Sequence, residues 1–183
     1  MKESPRISNL LERSGRIYEH NLFGEVKTDS PSYKEEIRKC KPDSSGYIPF
    51  KCALEVVKKF QPGDPVNPSH EFANTIRIAV IDELGIEDPE QMEKIRFYTA
   101  VGSPLDHWHG VDAFIEVDFG NGKKEISTFN SSLRQDRAVE DIKADILVGS
   151  LPDPEESEKE YWKKIEEIAK KAAEKIRPRV QKQ

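Results

Sequence analysis

The run Gly102-Ser103-Pro104-Leu105-Asp106-His107-Trp108-His109-Gly110-Val111-Asp112 holds two of the chain's four His, one of its two Trp and two Asp. Imidazoles and carboxylates bind metals and exchange protons near neutral pH, so chemistry is sought here first. One such chemistry is zinc held by His107 and His109 with Asp112 as the carboxylate. For a His-x-His ligand set that carboxylate comes one residue late and no His follows it. Only His20 and His70 remain as further imidazoles, and neither stands in a supporting motif. The other reading is structural: Trp108 packs, and the two imidazoles cap backbone groups of a loop leading into a strand. Asp112 carries the same pair of readings, as a ligand or as an acceptor for loop amides with His107 or His109 beside it.

The elements that must position these residues are legible from periodicity. Val111 to Phe119 alternates Val111, Ala113, Ile115, Val117 and Phe119 with Asp112, Phe114, Glu116 and Asp118, a strand with one apolar and one mostly acidic face. Asn121-Gly122 marks a hairpin into a strand from Lys124 to Asn130. Further strands are expected at Ile95 to Val101 and Ala144 to Val148, making a three- or four-stranded mixed sheet. Helices are expected from Pro5 to His20, Tyr33 to Lys39, Phe50 to Phe60 and Pro68 to Leu84, the last capped by Asn67 and stopped by Gly85. Asp88-Pro89 opens a short one. A final helix is capped by Asp153, Pro154 and Glu156, with Trp162, Ile165, Ile168, Ala169, Ala172 and Ile176 on one stripe. That stripe packs inside the chain or against a second copy, as a dimer would require. The class is α/β (α+β), a small mixed central sheet with a hairpin, flanked by helices. One structural domain is expected: an N-terminal extension over 1–66, a core over 67–150, and a C-terminal helix with a basic tail over 151–183.

This succession of helix, two strands with Asp112 opening the second, hairpin and third strand resembles the PD-(D/E)xK superfamily, the restriction-endonuclease-like phosphodiesterases, over about Asn67 to Val148. Gly110-Val111-Asp112-Ala113-Phe114-Ile115-Glu116 looks like the Asp-bearing strand of that family. Thr128-Phe129-Asn130 stands where the family carries its acidic-x-Lys triplet. The resemblance implies a restriction-endonuclease-like core in which Asp112 and an acidic partner hold Mg²⁺ or Mn²⁺ on a phosphate and a Lys orients water. Thr128 and Asn130 replace two of those groups. Glu71 and Glu116 are candidate oxygen ligands in their stead, and Lys123, Lys124 or Arg134 a candidate cation, with Arg137 near. The candidate site is therefore Asp112, Glu71 and Asn130 for catalysis, with Asp106, His107, Trp108, His109, Glu116, Thr128 and Arg134 for binding and Asp112 for metal.

Hairpin length decides whether that site can assemble. A two-residue loop, Asn121-Gly122, pairs Phe114 with Phe129 and turns Thr128 and Asn130 away from Asp112. A three-residue loop, Gly120 to Gly122, pairs Asp118 with Lys124 and brings Asn130 across from Asp112. Both fit the sequence.

Composition narrows the function. Among 183 residues, 29 Lys and Arg face 34 Asp and Glu for a net charge of −5, so nucleic acid would need a local basic patch. No apolar run is long enough to span a bilayer and no secretory leader is apparent at Met1 to Pro5, so a cytoplasmic location without membrane contact is expected. Cys40 and Cys52, the only cysteines, are expected as free thiols. The leading expectation is a non-catalytic, degenerate restriction-endonuclease-like protein with a structural or binding role. The alternatives are a metal-dependent phosphodiesterase on DNA or RNA using Asp112 and Mg²⁺, and a metal-binding module on His107 and His109.

Overall fold

Alternation in the segment opened by Val111 builds the second strand of a sheet. The computed structural model describes residues 15–120, 122–132 and 143–177. Its strands are β1 (Ile95–Thr99), β2 (Ala113–Asp118), β3 (Lys124–Ser131) and β4 (Ile146–Val148), in the order β1-β2-β3-β4. β1, β2 and β3 are successively antiparallel, and β4 runs parallel to β3. The helices are α1 (within 15–23), α2 (Pro31–Lys39), α3 (Phe50–Lys59), α4 (Glu71–Leu84), α5 (Pro89–Met92), α6 (Pro104–His109) and α7 (Glu158–Ile176). The expected mixed sheet flanked by helices is present. Residues 1–14, with the first part of the expected N-terminal helix, lie outside the described residues, as do Arg134, Arg137 and the tail beyond Arg177.

Both sheet faces are covered, so the acidic face expected on β2 is not a solvent face. On one side Ile95, Phe97, Ala113, Ile115, Val117, Phe129, Ile146 and Val148 pack with Leu22 and Phe23 of α1 and the buried stripes of α4 and α7. On the other, Tyr98 and Phe114 stack with ring centroids 4.9 Å apart and pack with Ala53, Val56 and Val57 of α3 and Leu105 of α6. The chain passes between these layers at Gly24, where φ is +75° and the His70 ring lies against the α-carbon: a β-carbon there would come within 2.6 Å of His70 Cε1. Only glycine fits both conditions.

Backbone groups outside the strand ladder are satisfied by side chains and loops. β1 is an edge strand, and an open edge would leave buried amides and carbonyls without partners. Here Arg77 Nε donates to Ile95 O at 2.7 Å, Phe97 N donates to Pro65 O at 2.9 Å, and the Gln61 amide brackets Thr99 N and O at 3.0 and 2.9 Å. Arg77, only 7% exposed, also donates from Nη2 to Met92 O at 2.6 Å. A second such device ties α1 to the segment after β4: Tyr18 OH donates to Gly149 O at 2.8 Å and accepts from Leu151 N at 3.2 Å.

Several expectations are corrected. Cys40 and Cys52 are not free thiols: they form a disulfide joining the end of α2 to α3, Cα to Cα 5.9 Å. α4 begins at Glu71 with His70 as its N-cap, not at Asn67-Pro68. Asn67-Pro68 lies in the loop before it, where Asp64 caps a turn through Val66 N at 2.9 Å and accepts Asn67 N on its carbonyl at 3.1 Å. Asp153 likewise caps a separate turn through Glu155 N at 2.8 Å, and α7 starts at Glu158 after Ser157. The buried stripe of α7 runs through Tyr161, 7% exposed, whereas Trp162 is 46% exposed, one helical step away from the expected line.

Among the described residues Ser127 Oγ, on the α4/α7 side, is buried without a hydrogen-bond partner. Ser127→Ala is therefore expected to leave unfolding free energy unchanged or raise it by up to about 1 kcal/mol, whereas Arg77→Met, which strips two carbonyls of their donor, lowers it by about 2 kcal/mol. Urea denaturation of the two variants checks this contrast; equal effects would contradict it.

Candidate functional site

The candidate site forms where α6 hands the chain to β2. Ser103 Oγ accepts from Leu105 N at 3.1 Å, Pro104 takes the first helical position and Gly110 closes α6 at φ +62°. The expected loop is thus a six-residue helix with a complete Ser-Pro start and Gly stop. Asp112 follows, one residue before β2. Its amide donates to Phe129 O at 2.8 Å and its carbonyl accepts from Ala100 N at 2.7 Å. Its carboxylate Oδ2 accepts from Ser131 N at 2.6 Å and from Ser131 Oγ at 3.1 Å, and the residue is only 2% exposed.

This placement has a direct cause. Along β3 the amides point alternately to β2 and β4, and Ser132 N donates to Val148 O, so Ser131 N faces β2. β2 begins at Ala113, one position too late to meet it, and the Asp112 side chain supplies the missing acceptor. Asp145 mirrors this arrangement one residue before β4. Its Oδ2 accepts from Thr128 N at 3.0 Å and Thr128 Oγ1 at 2.8 Å, while its own amide donates to Thr128 Oγ1 at 2.9 Å. Lys175 of α7 pairs with Asp145 Oδ1 at 2.8 Å. Burial pushes the Asp145 carboxyl upward, but the Lys175 ammonium and the Thr128 amide and hydroxyl together hold it below its ordinary value of 3.8.

The hairpin takes the three-residue loop. Phe114 pairs with Thr128, Glu116 with Ile126 and Asp118 with Lys124; the ladder ends at Ala113 with Phe129, and Asp112, one residue before it, meets this end of β3 through Phe129 O and Ser131. The two-residue register, with Phe114 opposite Phe129, is excluded. Gly120 and Gly122 flank the loop at φ +80° and +76°, which a Cβ would resist. Asn130 Nδ2 donates to Gly110 O at 2.9 Å. Asp112, Thr128 and Asn130 are thus brought together at one end of the β2/β3 pair, each with a backbone bond to make.

The other candidates lie elsewhere. Glu116 is four residues from Asp112 along β2, or ~13 Å, too far to share one ion. It is 2% exposed, and its carboxylate is bound by Lys58 of α3 and, at 3.3 Å, by Lys124. Lys124 also lies 3.6 Å from Asp118. Burial works against the Lys58 ammonium, yet its bonds to Glu116 and Glu55 raise its pKa overall. Glu71 sits exposed in the first turn of α4, its charge acting on Tyr161 across the α4–α7 seam.

In α6, His109 Nε2 donates to Ile48 O at 2.8 Å, a backbone group of the segment before α3 rather than of its own loop as expected. Rings surround it: Phe50 at 5.3 Å and Tyr47 at 5.6 Å between centroids, with Trp108 5.9 Å from Tyr47 and His107 4.6 Å from Trp108. Asp106 Oδ2 accepts from Gly102 N at 2.9 Å, and burial raises its pKa against the pull of that amide, His107 and Arg16. Among the described residues no group of three or more His, Cys, Asp or Glu is placed to hold a metal ion.

Sequence reasoning missed Asp145, Lys58 and the Tyr47–Phe50 contribution. Asp145 had a signal, since like Asp112 it directly precedes a short apolar run. Lys58 had none, because its partner lies on another element. Comparison with protein-family models, curated proteins and solved structures finds no match.

Two outcomes follow. Glu116→Ala leaves Lys58 half-buried without its main partner and is expected to cost about 3 kcal/mol of unfolding free energy, measured in urea; a loss below about 1 kcal/mol would contradict the pairing. Because the folded Asp145 carboxyl titrates below its ordinary value, its contribution is full above that value and disappears as pH falls through the lowered one. Asp145→Asn should therefore flatten the acid limb of the stability–pH profile below about pH 4. An unchanged acid limb would count against it.

Proposed function

We propose that this chain is a non-catalytic protein built on a restriction-endonuclease-like core, with a structural or binding role. The observation that supports this reading is the use made of the candidate residues. Asp112 Oδ2 accepts two bonds from Ser131, Thr128 is joined to Asp145 by three, and Asn130 holds Gly110 O. A phosphodiesterase of this design needs carboxylates whose oxygens face an ion and a cation that faces phosphate. Thr128 and Asn130 supply neither, and Glu116 and Lys124 satisfy each other at the far end of β2. A cytoplasmic location belongs to the same proposal. In that reducing compartment the Cys40–Cys52 bond would be transient. No helix among the described residues is long and apolar enough to cross a membrane.

The second reading, a metal-dependent phosphodiesterase acting on DNA or RNA with Mg²⁺ or Mn²⁺, draws support from one feature: the three-residue hairpin loop, whose register leaves Asp112, Thr128 and Asn130 at one end of the β2/β3 pair. Calorimetric titration with Mn²⁺ separates the two. The non-catalytic reading expects no saturable, stoichiometric binding in the parent. Stoichiometric binding that disappears in Asp112→Ala would overturn it in favour of the phosphodiesterase. A parallel Zn²⁺ titration addresses α6: stoichiometric binding lost on His107→Ala or His109→Ala would assign a metal there instead.

A further inference from the structure

The Cys40–Cys52 bond closes a segment between α2 and α3 that has almost no packing of its own. Residues 41–47 are exposed throughout, and Ile48 is the first buried side chain after them. Within the segment Asp43 Oδ1 accepts from Ser45 N at 2.9 Å and Tyr47 N at 3.0 Å, which shapes a turn without tying it to the rest of the protein. Its attachments to the body are few: the disulfide, the Ile48 side chain, the bond from His109 to Ile48 O, and the ring contacts of Tyr47 with Trp108 and His109.

We propose that this disulfide is a redox latch that holds the segment over α6, and that its reduction releases the segment and uncovers Trp108 and His109. Three contacts confine the change. α2 stays on α3 through the Tyr33–Phe60 ring contact at 5.1 Å and the Glu36–Lys59 pair at 2.8 Å, and Lys27 N donates to Phe60 O at 3.1 Å. Lys39 and Lys59 hold the Glu36 carboxyl down to about 2, so it is ionised at physiological pH. α3 keeps its buried Ala53, Val56 and Val57 against the sheet. What loosens is the part of the span between the cysteines that precedes α3, residues 41–49. Both sulfur-bearing residues are partly exposed, so a small dithiol or a dithiol protein can reach the bond.

The step balances as ordinary exchange. A thiolate of the dithiol attacks one cysteine sulfur, the Cys40–Cys52 bond breaks, and a mixed disulfide forms. The other cysteine leaves as a thiolate in that step, and the second thiolate of the reductant then attacks the reductant's own sulfur in the mixed disulfide and displaces the cysteine first attacked. Two electrons and two protons pass to Cys40 and Cys52, and the dithiol becomes a disulfide. The buried network at Asp112 and Asp145 takes no part.

The test uses the full chain with Trp162→Phe, leaving Trp108 as the sole tryptophan, oxidised and then treated with dithiothreitol. Thiol titration should read none before and two after. Reduction should shift Trp108 emission and speed exchange of the Ser45 and Tyr47 amides by about tenfold or more, with α4 and α7 amides unchanged and the effect reversed on reoxidation. Cys40→Ala/Cys52→Ala should match the reduced state and ignore dithiothreitol. Two titratable thiols before reduction, unchanged emission and exchange after it, or acceleration shared equally by α4 and α7 would each overturn the latch.

Discussion

β3 is eight residues long, against six for β2 and three for β4, so it runs past the start of each, by Asn130 and Ser131 beyond β2 and by Lys124 to Thr128 beyond β4. Ser131 and Thr128 are buried, and their amides need partners there, because a buried backbone group without one costs as much as a lost hydrogen bond or more. The fold answers with side chains placed one residue outside the adjacent strands. Asp112 takes the amide facing β2 and Asp145 the amide facing β4. Gln61, Arg77 and the Pro65 carbonyl do the same along the outer edge of β1. The polar residues nearest the sheet are therefore its backbone partners, and this constraint governs what else they can do.

A second constraint acts on the opposite end of β2. Glu116 faces α3 rather than solvent, and a carboxylate taken out of water is tolerated only with charged partners in bonding contact. Lys58 comes from α3 and Lys124 from the hairpin, so the ion cluster fixes where α3 rests on the sheet and rewards the register that sets Lys124 opposite Asp118. A one-residue slip would separate both pairs. The hairpin register and the seating of α3 are thus one decision, which in turn places Asn130 against Gly110.

Much of this was legible in the residues. The strands follow from alternation and short apolar runs, α2 from the charged run Tyr33 to Lys39 although it starts two residues earlier at Pro31, α5 from Asp88-Pro89, and the stop of α4 from Gly85. Register was not, because the Asn-Gly loop and the Asp118–Lys124 pairing point to different hairpins, and the burial of Glu116 beneath α3 decides between them. α6 was hidden by its length, although Ser103, Pro104 and Gly110 spell its ends. The disulfide was missed since Cys40 and Cys52 meet only once α2 and α3 are side by side. For the site, the residues brought together near Asp112 were identified, but their roles depended on which amides β3 leaves over, and strand lengths do not show that until the sheet is assembled.

The central claim is that the Asp112 carboxylate is an acceptor for the β3 backbone. Residue-resolved amide hydrogen exchange on the parent and on Asp112→Ala tests it most directly at Ser131. The account predicts that Ser131 N–H is as protected as the Phe129 amide in the parent and loses that protection selectively in the variant, with Thr128 unaffected because Asp145 still holds it. A Ser131 amide that exchanges freely in the parent, or one equally protected after the carboxylate is removed, would contradict it.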